Sequence, residues 1–143
     1  MSQVSFHGVV PDGLLYDCRY DMWVRTDGDE LLIGATSFGI FRAGEIIGFT
    51  AKPNGAEVDC GRGMGTVECA KTVLAVHAPV SFVLLQANEV IEEDTHWLNR
   101  EPYARGWMVR ARTRNWATDR LQLVDAVAYR QHILKLDPRA SCR

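Results

Sequence analysis

Apolar residues recur in this chain mostly as short runs of beta-branched and aromatic positions broken by Gly, Pro and Asp, a pattern that predicts many short strands. Leu14-Leu15-Tyr16 begins one strand and Met22-Trp23-Val24-Arg25 forms a second. Asp27-Gly28 then turns the chain back into Leu31-Leu32-Ile33-Gly34, a short-range hairpin signal. Residues 36–44 suit a short helix, with Thr36 or Ser37 as its cap and Gly44 closing it. Glu45 to Ala51 reads as a strand, and Lys52-Pro53-Asn54-Gly55 as a turn.

The next glycines, Gly61, Gly63 and Gly65, alternate without opening a helix, so they predict a flexible turn and not a phosphate-binding loop. Val67 to Ala70 and Thr72 to Val76 then form two strands with Ala70-Lys71 at the turn between them. Alternation places Val67 and Cys69 inward and Glu68 and Ala70 outward. His77 is expected to begin the return turn without an obvious partner, and Val80 to Leu85 to form the next strand. Residues 88–97 are weakly helical and acidic, a candidate docking face or a solvated one. Gly106 to Arg112 reads as the last strand of a barrel core spanning about 22–112. A helix is expected over about 118–135, capped by Thr118 or Asp119, with Leu121, Val124, Val127, Ala128, Ile133 and Leu134 as its apolar stripe. Residues 1–13 are expected to be loosely held and 139–143 to be a tail. The whole, 1–143, reads as one mainly β domain.

Composition narrows the function. A net charge of −2 gives no basic footprint for nucleic acid. No run is long enough to span a membrane and the first ten residues lack a signal-peptide pattern, so a soluble, cytoplasmic protein is expected. The four cysteines, Cys18, Cys60, Cys69 and Cys142, include no C-x-x-C pair and fit no zinc spacing. As reduced thiols they read as small buried hydrophobes, or for Cys142 a tail residue. The four histidines (His7, His77, His96, His132) have no ligand spacing. No catalytic constellation assembles, so the expectation is a carrier and not an enzyme, with no metal.

Lysine is the scarce residue. Of 16 basic residues only Lys52, Lys71 and Lys135 are lysines. Unlike a guanidinium, a lysine amine forms an ordinary amide or Schiff base. A lone lysine on an apolar hairpin is what a covalently modified lysine looks like, and it is also what a solvated turn residue looks like. Residue chemistry alone favours the second, because turn lysines are common. Lys52 stands against a proline and is the poorer hairpin-tip candidate.

Glu68-x-x-Lys71, Ala78-Pro79-Val80-Ser81, Gln86-Ala87-Asn88-Glu89, Pro102-Tyr103 and Gly106-Trp107 occur in an order and spacing that resembles the glycine-cleavage H-protein family, from about Tyr16 to the C-terminal helix. The resemblance implies a barrel-sandwich hybrid of the lipoyl type, with the short helix near 36–43 and a C-terminal helix packed outside. It implies lipoate in covalent amide linkage to Lys71, attached by a lipoate-protein ligase. Glu68 is then either a ligase contact or a solvated carboxylate. Two departures stand out. The family's His-Glu-Trp is represented at Asp21-Met22-Trp23 by its tryptophan alone, and Phe82 replaces a turn glycine, implying an altered surface beside the hairpin.

Within the family the chain is similar to the lipoate-binding proteins of the heterodisulfide-reductase-like sulfur-oxidation system. The shared features are Tyr16-Asp17, Trp23-Val24, Phe49-Thr50-Ala51-Lys52, Val67-Glu68-x-x-Lys71, Gly106-Trp107-Met108 and Asn115-Trp116. That implies sulfur-containing intermediates shuttled on the arm to a heterodisulfide-reductase-like complex, with Cys60 or Cys69 exchanging with lipoate-bound sulfur or serving only in packing. The alternatives are the ordinary H protein, carrying an aminomethyl group between glycine-cleavage enzymes, and an unmodified binding scaffold. Biotin carriage is disfavoured, since biotin carriers flank the lysine with methionines where Ala70 and Thr72 stand.

Overall fold

The computed structural model describes residues 4–143. It is mainly β, in the barrel-sandwich arrangement that the resemblance implies. One sheet has six strands: β2 (Leu15–Asp17), β3 (Met22–Asp27), β4 (Glu30–Ala35), β6 (Glu57–Val58), β9 (Phe82–Ala87) and β10 (Val109–Thr113), in the order β2-β3-β4-β10-β9-β6. The second sheet is three-stranded: β5 (Ile46–Ala51), β7 (Gly63–Cys69) and β8 (Thr72–His77), with β7 in the middle. Side chains from both sheets meet in one core that includes Val24, Ile33, Phe49, Val67, Phe82 and Leu84.

A second core lies on the outer face of β2 and β3. Successive residues of β3 therefore serve both sides: Met22 and Val24 enter the first core while Trp23 enters the second. That is why β3 reads as a continuous apolar run, as expected of a strand covered on both faces. The second core is closed by α1 (Ser37–Ala43) through Phe38, and by α5 (Ala126–Leu136) through Ala126, Tyr129 and Ile133. Thr36 caps α1 by accepting a hydrogen bond from the Gly39 amide, and Gly44 ends the helix at φ 91°, as its sequence predicts.

Several expectations need correction. The C-terminal segment is not one helix over 118–135. It is α4 (Trp116–Asp119), a 3-10 turn over Arg120–Gln122, and then α5, which starts at Ala126 with Asp125 as its cap. Val124 is drawn out of the helix because its backbone bridges Tyr16 on β2. Asp119 does not cap a helix; it is buried and accepts from the Ser81 amide at 2.8 Å. Of the predicted stripe, Leu121, Val127 and Leu134 are exposed, and the buried face runs through 126, 129 and 133.

Residues 6–10 and 141–143 are held, not loose. Strand β1 (His7–Gly8) pairs in parallel with β11 (Ser141–Cys142), and Phe6 and Val10 are buried. The expectation for residues 1–3 lies outside the described residues. Of the alternating glycines only Gly61 is in a turn, at φ 86°; Gly63 and Gly65 already belong to β7. Gly65 is needed because a Cβ there would stand 2.5 Å from the Thr50 carbonyl oxygen of β5. The last strand starts at Val109, since Gly106 is packed under the backbone of Trp97 and Glu101 in the preceding turn. Phe82 does not alter the surface beside the hairpin: it is fully buried, with β6 and β10 on either side of β9. The acidic segment forms two short helices, α2 (Glu89–Glu93) and α3 (His96–Arg100), the first capped by Asn88. No helix among the described residues is long and apolar enough to cross a membrane.

Candidate functional site

The β7–β8 hairpin places Lys71 where the sequence predicts it. Cys69 pairs with Thr72, which leaves Ala70-Lys71 as a two-residue turn. Neither turn residue takes a positive φ, so the turn needs no glycine. Lys71 is exposed, and no hydrogen bond or ion pair to it occurs among the described residues. On β7 the predicted alternation holds. Val67 and Cys69 are buried, and Glu68 faces out. The Glu68 carboxylate lies across Gly48 of β5, where a Cβ would come within 3.1 Å of Oε2, and it makes no ion pair with Lys71.

The two cysteines do not join Lys71 in one site. Cys69 Sγ is buried under the hairpin. Cys60 is half-buried near the base of the hairpin, some six residues of strand from the tip, about 20 Å. Its thiol donates to the Pro79 carbonyl at 3.4 Å, its amide donates to Ser81 Oγ at 2.9 Å, and the Arg19 guanidinium stands 3.6 Å from its sulfur. His77, expected to be unpartnered, is the last residue of β8 and has two partners. Its Nδ1 lies 3.0 Å from the Gly61 carbonyl, an acceptor only, so Nδ1 carries the proton; its ring stacks on Tyr20 at 4.8 Å.

Sequence reasoning missed a cleft of about 370 Å³ between β8, α1 and the β2–β3 turn. It begins at Leu74, three residues along β8 from Lys71, or about 10 Å. Its walls are apolar: Met22, Ile40, Val67, Leu74, Val76 and Met108. Its polar lining is Arg19, Tyr20, Asp21, Arg42 and His77. These residues are far apart in sequence, so no local pattern could have grouped them.

Asp21 is the organising group of the cleft floor. It has φ 56°, which Asp tolerates better than most residues. Its Oδ1 accepts from Tyr129 Oη at 2.8 Å and its Oδ2 faces Arg42 at 3.4 Å. Tyr129 in turn shares a 2.7 Å hydrogen bond with Thr36. Burial raises the Asp21 pKa, opposed by the Tyr129 hydrogen bond and by the charges of Arg42 and His132. A carboxyl whose pKa is higher folded than unfolded stabilises the fold in its neutral form, and that contribution is lost as pH rises through the folded pKa. The stability of the wild type relative to Asp21→Asn should therefore fall as pH is raised from below the usual carboxylate range to neutrality. Urea titrations at stepped pH check this; a difference that grows with pH would contradict it.

The residues that carried the family resemblance beyond the hairpin turn out to hold the fold. Asn88 donates to the Arg105 and Trp107 carbonyls, Pro102 accepts from Trp23 Nε1 at 3.0 Å, and Tyr103 Oη accepts from the Ser37 amide. No group of three or more potential metal ligands occurs among the described residues.

A barrel-sandwich that exposes a lysine at a hairpin tip has the arrangement a cofactor-bearing carrier needs. The chain belongs to the glycine cleavage H-protein family, whose model matches residues 14–135. A glycine cleavage system H protein of Bacteroides thetaiotaomicron is 29% identical over 120 residues, covering 84% of this chain and 94% of the relative. One from Carboxydothermus hydrogenoformans is 33% identical over 109 residues, covering 76% and 83%. A crystal structure of the H protein from Mycobacterium marinum shares the fold at a TM-score of 0.75 and 24% identity, over 85% of this chain and 97% of that one. H proteins are non-enzymatic carriers with lipoate covalently attached to a lysine. The narrower resemblance to sulfur-oxidation proteins gains no support from these relatives.

Proposed function

We propose that this chain, acting as one carrier domain in the cytoplasm, bears lipoate in amide linkage to Lys71 and presents it to successive partner enzymes. The observation that carries this reading is the position of Lys71 at the free end of the one hairpin whose sequence matches the family's Glu-x-x-Lys spacing. The residues present fit the group. The amine is exposed and unpaired, and an apolar-walled cleft opens beside it. Bound there, lipoate supplies thiol–disulfide chemistry on a long neutral tether. The protein's own part is to hold the tip rigidly through β7 and β8, and to raise the effective concentration of the tethered group at each partner. Glu68, outward and three residues before the lysine, is on this reading a contact for the lipoate-protein ligase, the alternative being a solvated carboxylate.

For the cargo, the names of the relatives favour an aminomethyl group passed between glycine-cleavage enzymes. The second reading is a sulfur-containing intermediate delivered to a heterodisulfide-reductase-like complex. It is favoured by one observation: the polar lining of the cleft offers two guanidiniums and no free carboxylate. Cys60 and Cys69 fit packing roles, and if packing is their whole role, replacing either with Ala should leave transfer unchanged. A methylamine-loading assay with the lipoylated chain and the glycine-cleaving decarboxylase separates the two. Loading supports aminomethyl carriage; its absence with a fully lipoylated chain favours the sulfur reading.

A further inference from the structure

The three-stranded sheet is packed on one face only. Ile46, Phe49, Val67, Cys69 and Val76 point into the core. The residues between them point out and are exposed: Thr50 on β5, Thr66 and Glu68 on β7, Val73 and Ala75 on β8. They are register neighbours. Thr66 lies between Thr50 and Ala75, and Glu68 lies between Gly48 and Val73. Glu68 is the single charge in this set.

A bulge in β5 adds an aliphatic contact to the same face. Ile46 opposes Cys69 and Gly48 opposes Glu68, so Ile47 is the extra residue between them. Bulges re-aim side chains, and here Ile47 is 52% exposed while Ile46 is 3%. On the other side of Glu68, Val73 is 61% exposed. The carboxylate itself is laid down across Gly48, where a Cβ would stand 3.1 Å from Oε2, and it has no ion pair among the described residues. One exposed aliphatic needs no explanation. Two of them framing an unpaired carboxylate form the pattern of an interface: apolar area that gains by leaving water, and a fixed charge that selects what covers it. A guanidinium fits best, being weakly hydrated and able to bond a carboxylate with two donors while its flanks stay apolar.

Position decides which protein covers it. Glu68 and Val73 stand on the two strands that lead into the Ala70-Lys71 turn, and Val73 is about 7 Å along β8 from Lys71. An enzyme that forms an amide at Nζ must bring its acyl donor to the lysine itself and so must touch the turn. An enzyme acting on the far end of the finished arm meets it a tether's length away. We propose that the outer face of this sheet is the docking surface for the enzyme that acylates Lys71, with Ile47 and Val73 as apolar contacts on either side of Glu68. The docking enzyme sets a cationic side chain against Glu68 within an apolar surround. This rests on the reading that Lys71 carries lipoate and adds to it a contact from β5, a strand outside the hairpin.

The test is the kinetics of lipoylation of the whole chain by a lipoate-protein ligase. The variants are Ile47→Thr, Val73→Thr and Glu68→Gln, with Val127→Thr, an equally exposed residue of α5, as control. Ile47→Thr and Val73→Thr keep β-branching and should match wild type in urea unfolding. Each should lower kcat/KM by about three- to tenfold, the effect of losing one apolar contact, through KM and with kcat little changed. Glu68→Gln should also raise KM and should flatten the fall of kcat/KM between about 50 and about 300 mM salt, because the steering charge is gone. The control should behave as wild type.

A wild-type chain that the ligase does not lipoylate would sink the carrier reading itself. A lipoylated wild type with Ile47→Thr and Val73→Thr unchanged, or with the control equally impaired, would overturn the docking face alone. An unaltered salt dependence in Glu68→Gln would remove the cationic partner group. Sedimentation of wild type as a dimer that Ile47→Thr dissolves would put a second copy on the face and overturn its assignment to the ligase.

Discussion

Replacing Lys71 with Arg should abolish lipoylation of the chain. The substitution keeps the positive charge and a similar length, but a guanidinium stays protonated at accessible pH and does not form the amide. The site tolerates it. Lys71 is exposed at a turn that requires no special backbone conformation, so the variant should unfold within about 0.5 kcal/mol of wild type. The other two lysines should not take over. Lys52 is fixed beside Pro53, with its amide donating to the Met64 carbonyl at 3.1 Å, and Lys135 lies in the last turn of α5. Intact mass after incubation with lipoate and a lipoate-protein ligase reads the result. One lipoyl group on wild type and none on Lys71→Arg is expected; a lipoyl adduct on the variant would move the site elsewhere.

Trp23→Ala should have the largest effect on stability, about 3–5 kcal/mol, a large part of the total for a domain of this size. Trp23 is fully buried in the second core. Its cross-strand neighbour is Gly34, where any Cβ would stand 2.7 Å from the indole, so the ring fills space that no side chain on β4 can reclaim. Its Nε1 also satisfies the Pro102 carbonyl at 3.0 Å, and truncation leaves that buried acceptor without its donor. Urea unfolding measures the loss. A decrease below about 1 kcal/mol would mean the pocket collapses around the gap, against the packing described.

Much of this fold was legible because its signals are local. The hairpin tip at Ala70-Lys71, the Thr36 cap, the Gly44 stop and the inward Cys69 each follow from a few neighbouring residues. What escaped depends on contacts between residues far apart in sequence. The parallel pairing of His7 with Ser141 has no turn or periodicity to announce it. Val124 looks helical until Tyr16 claims its backbone, and Asp119 looks like a cap until the Ser81 amide reaches it. Phe82 looks like a surface change because its place is described by the loop before it, whereas β6 and β10 bury it. The site divides the same way. Lys71 and Glu68 stand out in the hairpin sequence. The cleft does not, since Arg19, Arg42 and His77 belong to three different elements and its floor is set by Tyr129, 108 residues from Asp21.

The central claim is that Lys71 is the attachment point of a lipoyl arm, and its most direct test is the intact mass and peptide map of the protein purified from its native cells. A single lipoyl adduct confined to the peptide containing Lys71 is the result expected. An unmodified Lys71 in cells supplied with lipoate and possessing the native ligase would contradict it and leave the chain an unmodified binding scaffold.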